Sequence, residues 1–200
     1  MTFESLLTQK PYRWPRKSDL PLRKASHKTA AGPLAADGIT RKVFMMDGFM
    51  HAGTALAEMA LRERLRRNDL VYPMLYCYRH AVETGLKWLI AQYGPPVGVR
   101  PENINDTHNL FGLWQDFRRI NDACGARADD EALMAVEKAV KQFHDWDETG
   151  IKFRYATTTN GAATKFQYAD IDTENLKDVM IGIANFLNGS DGWLDSIANA

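Results

Sequence analysis

At 200 residues, with 45% hydrophobic and 25% charged side chains, the chain suits one soluble domain, or one domain plus an arm, and can bury a sizeable core. Its formal net charge of zero predicts no global attraction to nucleic acid or membrane, and two cysteines build no disulfide framework. Cys77 and Cys124 are therefore expected as reduced, buried thiols, and the lack of a signal-type N-terminus or bilayer-length apolar run predicts a cytoplasmic location with no membrane partner.

Residues 1–42 read as a basic, Pro-rich arm. Nine basic residues stand there against Glu4, Asp19 and Asp37, so this end is about six charges positive and the remainder about six negative. Pro11, Pro15, Pro21 and Pro33 break any long helix, which predicts an extended segment packed over the body through Trp14. Arg13, Trp14, Arg16, Lys17, Arg23 and Lys24 interleave cations with an aromatic ring, a pattern that can grip a nucleic-acid strand by phosphate contact and stacking.

Residues 43–200 read as a helical domain. Phe44, Met45, Phe49, Ala52, Leu56, Met59, Ala60 and Leu61 recur at helical spacing, and Gly48 and Gly53 allow close helix–helix approach. Asn68 and Asp69 mark a turn into a second helix, Tyr72 to Gly94, which stops at YGPPVG. On that helix Leu75, Tyr78, Val82, Leu86, Leu89 and Ile90 share one face, bordered by a narrow polar stripe of Tyr76, His80, Glu83 and Lys87. A third helix, capped by Asp106 or Thr107, carries Leu110, Leu113, Trp114, Phe117 and Ile120 inward. A fourth runs from about Asp129 to Asp145 with Leu133, Val136, Val140 and Phe143 inward. GIKFRYATTT and ATKFQYADI alternate apolar with polar residues around Asn160-Gly161, which predicts a β-hairpin. Asp172 and Thr173 cap a last helix with Leu176, Val179, Met180, Ile183 and Phe186 inward, interrupted at Gly189 and Gly192. The fold class is thus mainly α: an antiparallel bundle of four to five helices, a small hairpin before the last one, and an extended N-terminal arm.

YRHAVETGLKWLI, followed by THNLFGLW and later GIKFRY, resembles the HEPN superfamily, the higher eukaryotes and prokaryotes nucleotide-binding domain, over roughly residues 43–190. The resemblance implies a four- or five-helix antiparallel bundle, usually dimeric. Many such proteins are ribonucleases acting as toxins or defence effectors, and others bind partners, nucleotides or RNA without catalysis. The ribonucleases carry R-x(4–6)-H, generally on a late helix. Here no arginine lies five to seven residues before any histidine, and the helix after Asp172 has neither residue type. No catalytic pair can therefore be carried over.

The residues themselves suggest a site. Glu83 and Lys87 form an i,i+4 pair at the edge of the buried face, and a buried carboxylate calls for a guanidinium. Arg154 is the expected partner of Glu83, with His108 or Asn109 close by, pinning the hairpin to the bundle. As a ligand pocket the same surroundings would use Arg79, His80, Glu83, Lys87, His108, Asn109, Arg154 and Tyr155, with the helix start near His108 receiving a phosphate. Three functions follow: a homodimeric HEPN-like module binding RNA, a nucleotide or a protein partner; a metal-independent ribonuclease using His80, Glu83 and Arg154; or a metal-dependent bundle enzyme using His51, His80, His108 and His144. The last lacks E-x-x-H or H-x-x-x-H on any helix, so no metal ligand set is assigned. Without a P-loop, G-x-S-x-G or dinucleotide glycine fingerprint, no cofactor is expected and the first function is favoured.

Overall fold

The computed structural model describes residues 17, 21, 22, 24, 32–158 and 160–199. Residues Ala35–Ala200 form one compact unit. Lys17 and Lys24 are exposed, whereas Arg13, Trp14, Arg16 and Arg23 lie outside the described residues, as does the expected packing of Trp14.

The compact unit is mainly helical. Helix α1 spans Gly38–Arg62 and starts where Asp37 accepts from the Thr40 amide at 2.7 Å. Its core face is Met46, Met50, Gly53, Ala57 and Ala60. That face is rotated from the expected one, since Phe44 and Met45 are 57% and 38% exposed. The reason is the neighbouring helix: a Cβ at Gly53 would lie 2.7 Å from the Tyr78 ring, so α1 meets its partner along small side chains.

Helix α2 spans Arg67–Tyr93 and begins earlier than the sequence suggests. A 3-10 turn at Arg64–Arg66 takes the place of the turn expected at Asn68–Asp69. Every residue from Ala81 to Ile90 is buried, which makes α2 the central helix, with α1, α3 and α5 packed against it. A segment with apolar side chains most of the way round can hide only by being surrounded.

Helix α3, Leu110–Ala123, is capped by Asn109, whose Oδ1 accepts from the Gly112 amide at 2.9 Å; Thr107 accepts from the Asn109 amide instead of capping. Helix α4 spans Glu131–Trp146 and is capped by Asp130. Helix α5 spans Thr173–Ala198, capped by Asp172, and continues unbroken through Gly189 and Gly192. Its buried residues are Met180, Ile183, Leu187, Ser190 and Leu194, while Val179 is 41% exposed rather than inward. Leu86, Leu89, Leu110, Trp114, Phe117 and Leu187 are almost completely buried together in the core. Each such side chain contributes about 1.5–3 kcal/mol, which is why local irregularities are tolerated.

The expected hairpin shrinks to one antiparallel bridge between Thr157 and Ala163, with no strand among the described residues. Asp147 explains the loss. Its Oδ1 accepts from the Ile151 and Lys152 amides at 2.8 and 3.0 Å, and the Arg154 and Tyr155 amides donate to the Ile151 carbonyl. GIKFR is thus wound into turns, and its alternation cannot be spent on a ladder. Phe153 still points inward and stacks on Phe166 at 5.7 Å. Among the described residues no helix is long and apolar enough to cross a membrane.

Candidate functional site

Arg79, Glu83 and Lys87 follow one another at i, i+4 and i+8 on α2, so their side chains form one line along the helix. Glu83 is 2% exposed and accepts from three donors: Arg79 Nη1 at 2.7 Å, Lys87 Nζ at 2.9 Å and His108 Nδ1 at 3.0 Å. Burial pushes its carboxyl upward, but the bonds from Lys87 and Arg79 outweigh burial and hold it below the ordinary value. Arg79, also 2% exposed, donates from Nε to the Asp147 carbonyl at 3.1 Å and from Nη2 to the His108 carbonyl at 2.7 Å. One guanidinium thereby ties α2 to the segment before α3 and to the loop after α4. Lys87 adds a bond to the Asn105 carbonyl at 3.2 Å. Gly150, with φ of +73°, makes room, since a Cβ there would approach Arg79 Nη1 to 3.0 Å.

The guanidinium beside Glu83 is therefore that of Arg79 and not of Arg154. An arginine one turn earlier on the same helix arrives already oriented, whereas Arg154 turns back to donate to the Gly150 carbonyl at 2.8 Å. Arg154 lies outside the cluster, its guanidinium carbon 5.9 Å from the Tyr76 ring and 5.7 Å from the Tyr155 ring. His80 is also outside, packed edge-on against Phe49 at 4.5 Å and stacked on Tyr76 at 5.5 Å; burial pushes its imidazole below the usual value. Asn109 serves as the α3 cap. Asp147 joins the cluster unanticipated: it is fully buried, with Oδ2 3.6 Å from Arg79 Nε and no hydrogen-bond partner for that oxygen among the described residues. Its position just past a helix end, before a glycine, was the available signal.

The histidines do not converge. His51 is exposed, His80 and His108 sit as described, and His144 stacks on Phe111 at 6.2 Å. Among the described residues no group of three or more His, Cys, Asp or Glu side chains is gathered to hold a metal ion. Cys77 and Cys124 are free and half-buried, and burial pushes the Cys77 thiol up, away from nucleophilic use.

Open space lies elsewhere, on both sides of Phe166. A cleft of about 320 Å³ is lined by Tyr72, Lys152, Phe153, Arg154, Tyr155, Ala156, Thr164 and Phe166. Beyond Phe166 lie cavities of about 260 and 460 Å³ between the 166–172 segment and the helices. The cluster around Glu83 lines none of the three.

Fold and site together define a mainly helical protein whose central helix is held by a largely buried ionic cluster, closed on one side by the half-exposed His108, with open clefts elsewhere. Comparison with family models, curated proteins and solved structures gives no match for this chain.

Proposed function

We propose that this chain is a non-catalytic binding module, HEPN-like in architecture and homodimeric, that takes up single-stranded RNA or a nucleotide. The observation that carries the reading is the contrast around Arg154. Glu83 accepts from three donors inside a cluster that lines none of the clefts, while Lys152, Arg154, Tyr155 and Tyr72 border an open cleft. Cations beside exposed aromatic rings suit a phosphate next to a stacked base. The basic residues Arg13, Arg16, Lys17, Arg23 and Lys24 with Trp14 would add sequence-independent affinity. Exposed Phe44 and Met45 on α1 and Trp193 and Ile197 on α5 leave apolar side chains free for a partner protomer.

The test is fluorescence anisotropy with a labelled twelve-nucleotide RNA and the full chain, in chelator. Arg154→Ala or Tyr155→Ala should weaken binding about tenfold, as expected for a lost stacking or phosphate contact. The Arg154 variant should also lower the salt slope by roughly one, and the RNA should stay intact. Cleavage that disappears with His80→Ala would support the ribonuclease alternative and end this reading, as would unchanged affinity in both variants.

A further inference from the structure

Tyr72, Tyr76 and His80 follow one another at i, i+4 and i+8 on α2, so their rings form one line along the helix. The line starts in the cleft of about 320 Å³, which Tyr72 lines together with Arg154. Its middle ring, Tyr76, meets the Arg154 guanidinium at 5.9 Å and stacks on His80 at 5.5 Å, with 12° between the ring planes. Phe49 of α1 packs edge-on against His80 at 4.5 Å. His80 therefore stands one ring away from a cation that borders open space.

His80 makes no hydrogen bond among the described residues, and neither of its ring nitrogens is a buried unpaired atom. Burial and the surrounding charges decide its protonation, not a fixed partner. Those charges are Glu83, Lys87 and Arg79 on α2 and Arg154 on the loop, while α1 presents the uncharged Phe49. Burial and the three cations hold the imidazole below its ordinary value, and Glu83 opposes them. Arg79 and Lys87 are already paired with Glu83. Arg154 has no carboxylate partner among the described residues, its Nε donating to the Gly150 carbonyl at 2.8 Å. Its charge is thus the one that an anion entering the cleft can cancel.

We propose that His80 regulates the Arg154 cleft by proton linkage: an RNA phosphate seated on Arg154 binds with uptake of a proton by His80, and acid tightens that binding. This rests on the reading that the cleft takes RNA. A phosphate cancels the cation that repels a charged imidazole across Tyr76, which favours the protonated form. Linkage requires the reverse with equal strength, so a protonated His80 strengthens phosphate binding. Affinity is therefore lowest above the titration range of His80 in the complex and rises as pH falls through it. His108, the imidazole of the ionic cluster, faces Glu83 at 3.0 Å and lines none of the three cavities.

The experiment uses the full chain and a labelled twelve-nucleotide uridine strand without terminal phosphates, which carries no group that titrates where histidine does, between about pH 5.5 and 7.5. Imidazole proton resonances follow His80, assigned by its loss in His80→Phe, a variant that keeps a ring packed against Phe49. The His80 midpoint should rise when the strand is added, and rise also in strand-free Arg154→Met. By anisotropy the strand should bind more tightly at about pH 5.5 than at about pH 7.5, and His80→Phe should reduce that ratio about threefold, the scale of one screened charge pair. A His80 midpoint that ignores Arg154→Met, or a pH ratio unchanged in His80→Phe, overturns the linkage and leaves the cleft reading standing. Affinity that Arg154→Ala does not alter ends the cleft reading, and this proposal with it.

Discussion

Arg79 and Arg154 face the same short loop and end in opposite circumstances. Arg79 is 2% exposed and spends Nε, Nη1 and Nη2 on Asp147, Glu83 and His108, whereas Arg154 is exposed beside Tyr155 at the mouth of a cleft. What separates them is saturation. A charge withdrawn from water is costly unless it is paired and hydrogen-bonded, and Arg79, with a partner at each of its three side-chain nitrogens, is held as a fastener. A charge left at an open cleft keeps capacity for a ligand. Which polar residues hold the molecule together and which can act outward thus follows from counting partners.

The largest effect should come from breaking the fastener. Glu83→Gln leaves Arg79 and Lys87 buried beside a neutral amide, and should cost about 3–5 kcal/mol by chemical denaturation. Gly150→Ala should cost about 1–2 kcal/mol, because its φ of +73° suits glycine and the added carbon crowds Arg79. A loss under about 0.5 kcal/mol in Glu83→Gln would mean the two arginines are not different after all.

Acid sharpens the same contrast. Burial keeps His80 below its ordinary 6.5, so as pH falls through that value the unfolded chain takes up a proton before the folded one and stability begins to drop. Glu83 is held below its ordinary 4.5, so its contribution is complete above that pH and is lost as pH falls further toward its folded value. Urea midpoints against pH should therefore show two descending limbs, and Glu83→Gln should shrink the lower one. The smallest effect belongs to the open side: Arg154→Met should change stability by no more than about 0.5 kcal/mol while weakening RNA binding.

Much of the closed cluster was legible because it lies on one helix. The inward stripe from Leu75 to Ile90 and the alignment of Glu83 and Lys87 follow from 3.6-residue periodicity, which needs no knowledge of other segments. The partner of Glu83 was not legible in the same way. Arg79 and Arg154 are both chemically suitable, and the choice rests on a loop whose course is set by the Asp147 carboxylate accepting from the Ile151 and Lys152 amides. The same bonds turned an alternating pattern into a turn with one bridge, so period-two spacing in GIKFRY did not yield a strand. In α1, apolar residues occupy two faces, and the face that packs was decided by the fit of Gly53 to Tyr78.

The most direct measurement is a ¹³C titration of the Glu83 carboxyl in the folded protein. With Arg79, Lys87 and His108 all within 3.0 Å, the carboxylate should stay ionised well below pH 4.5, its chemical shift flat until the protein itself unfolds. A Glu83 that titrates at or above 4.5 in the native state, as a carboxyl open to solvent or poised to move protons would, contradicts the paired, buried carboxylate on which the account stands.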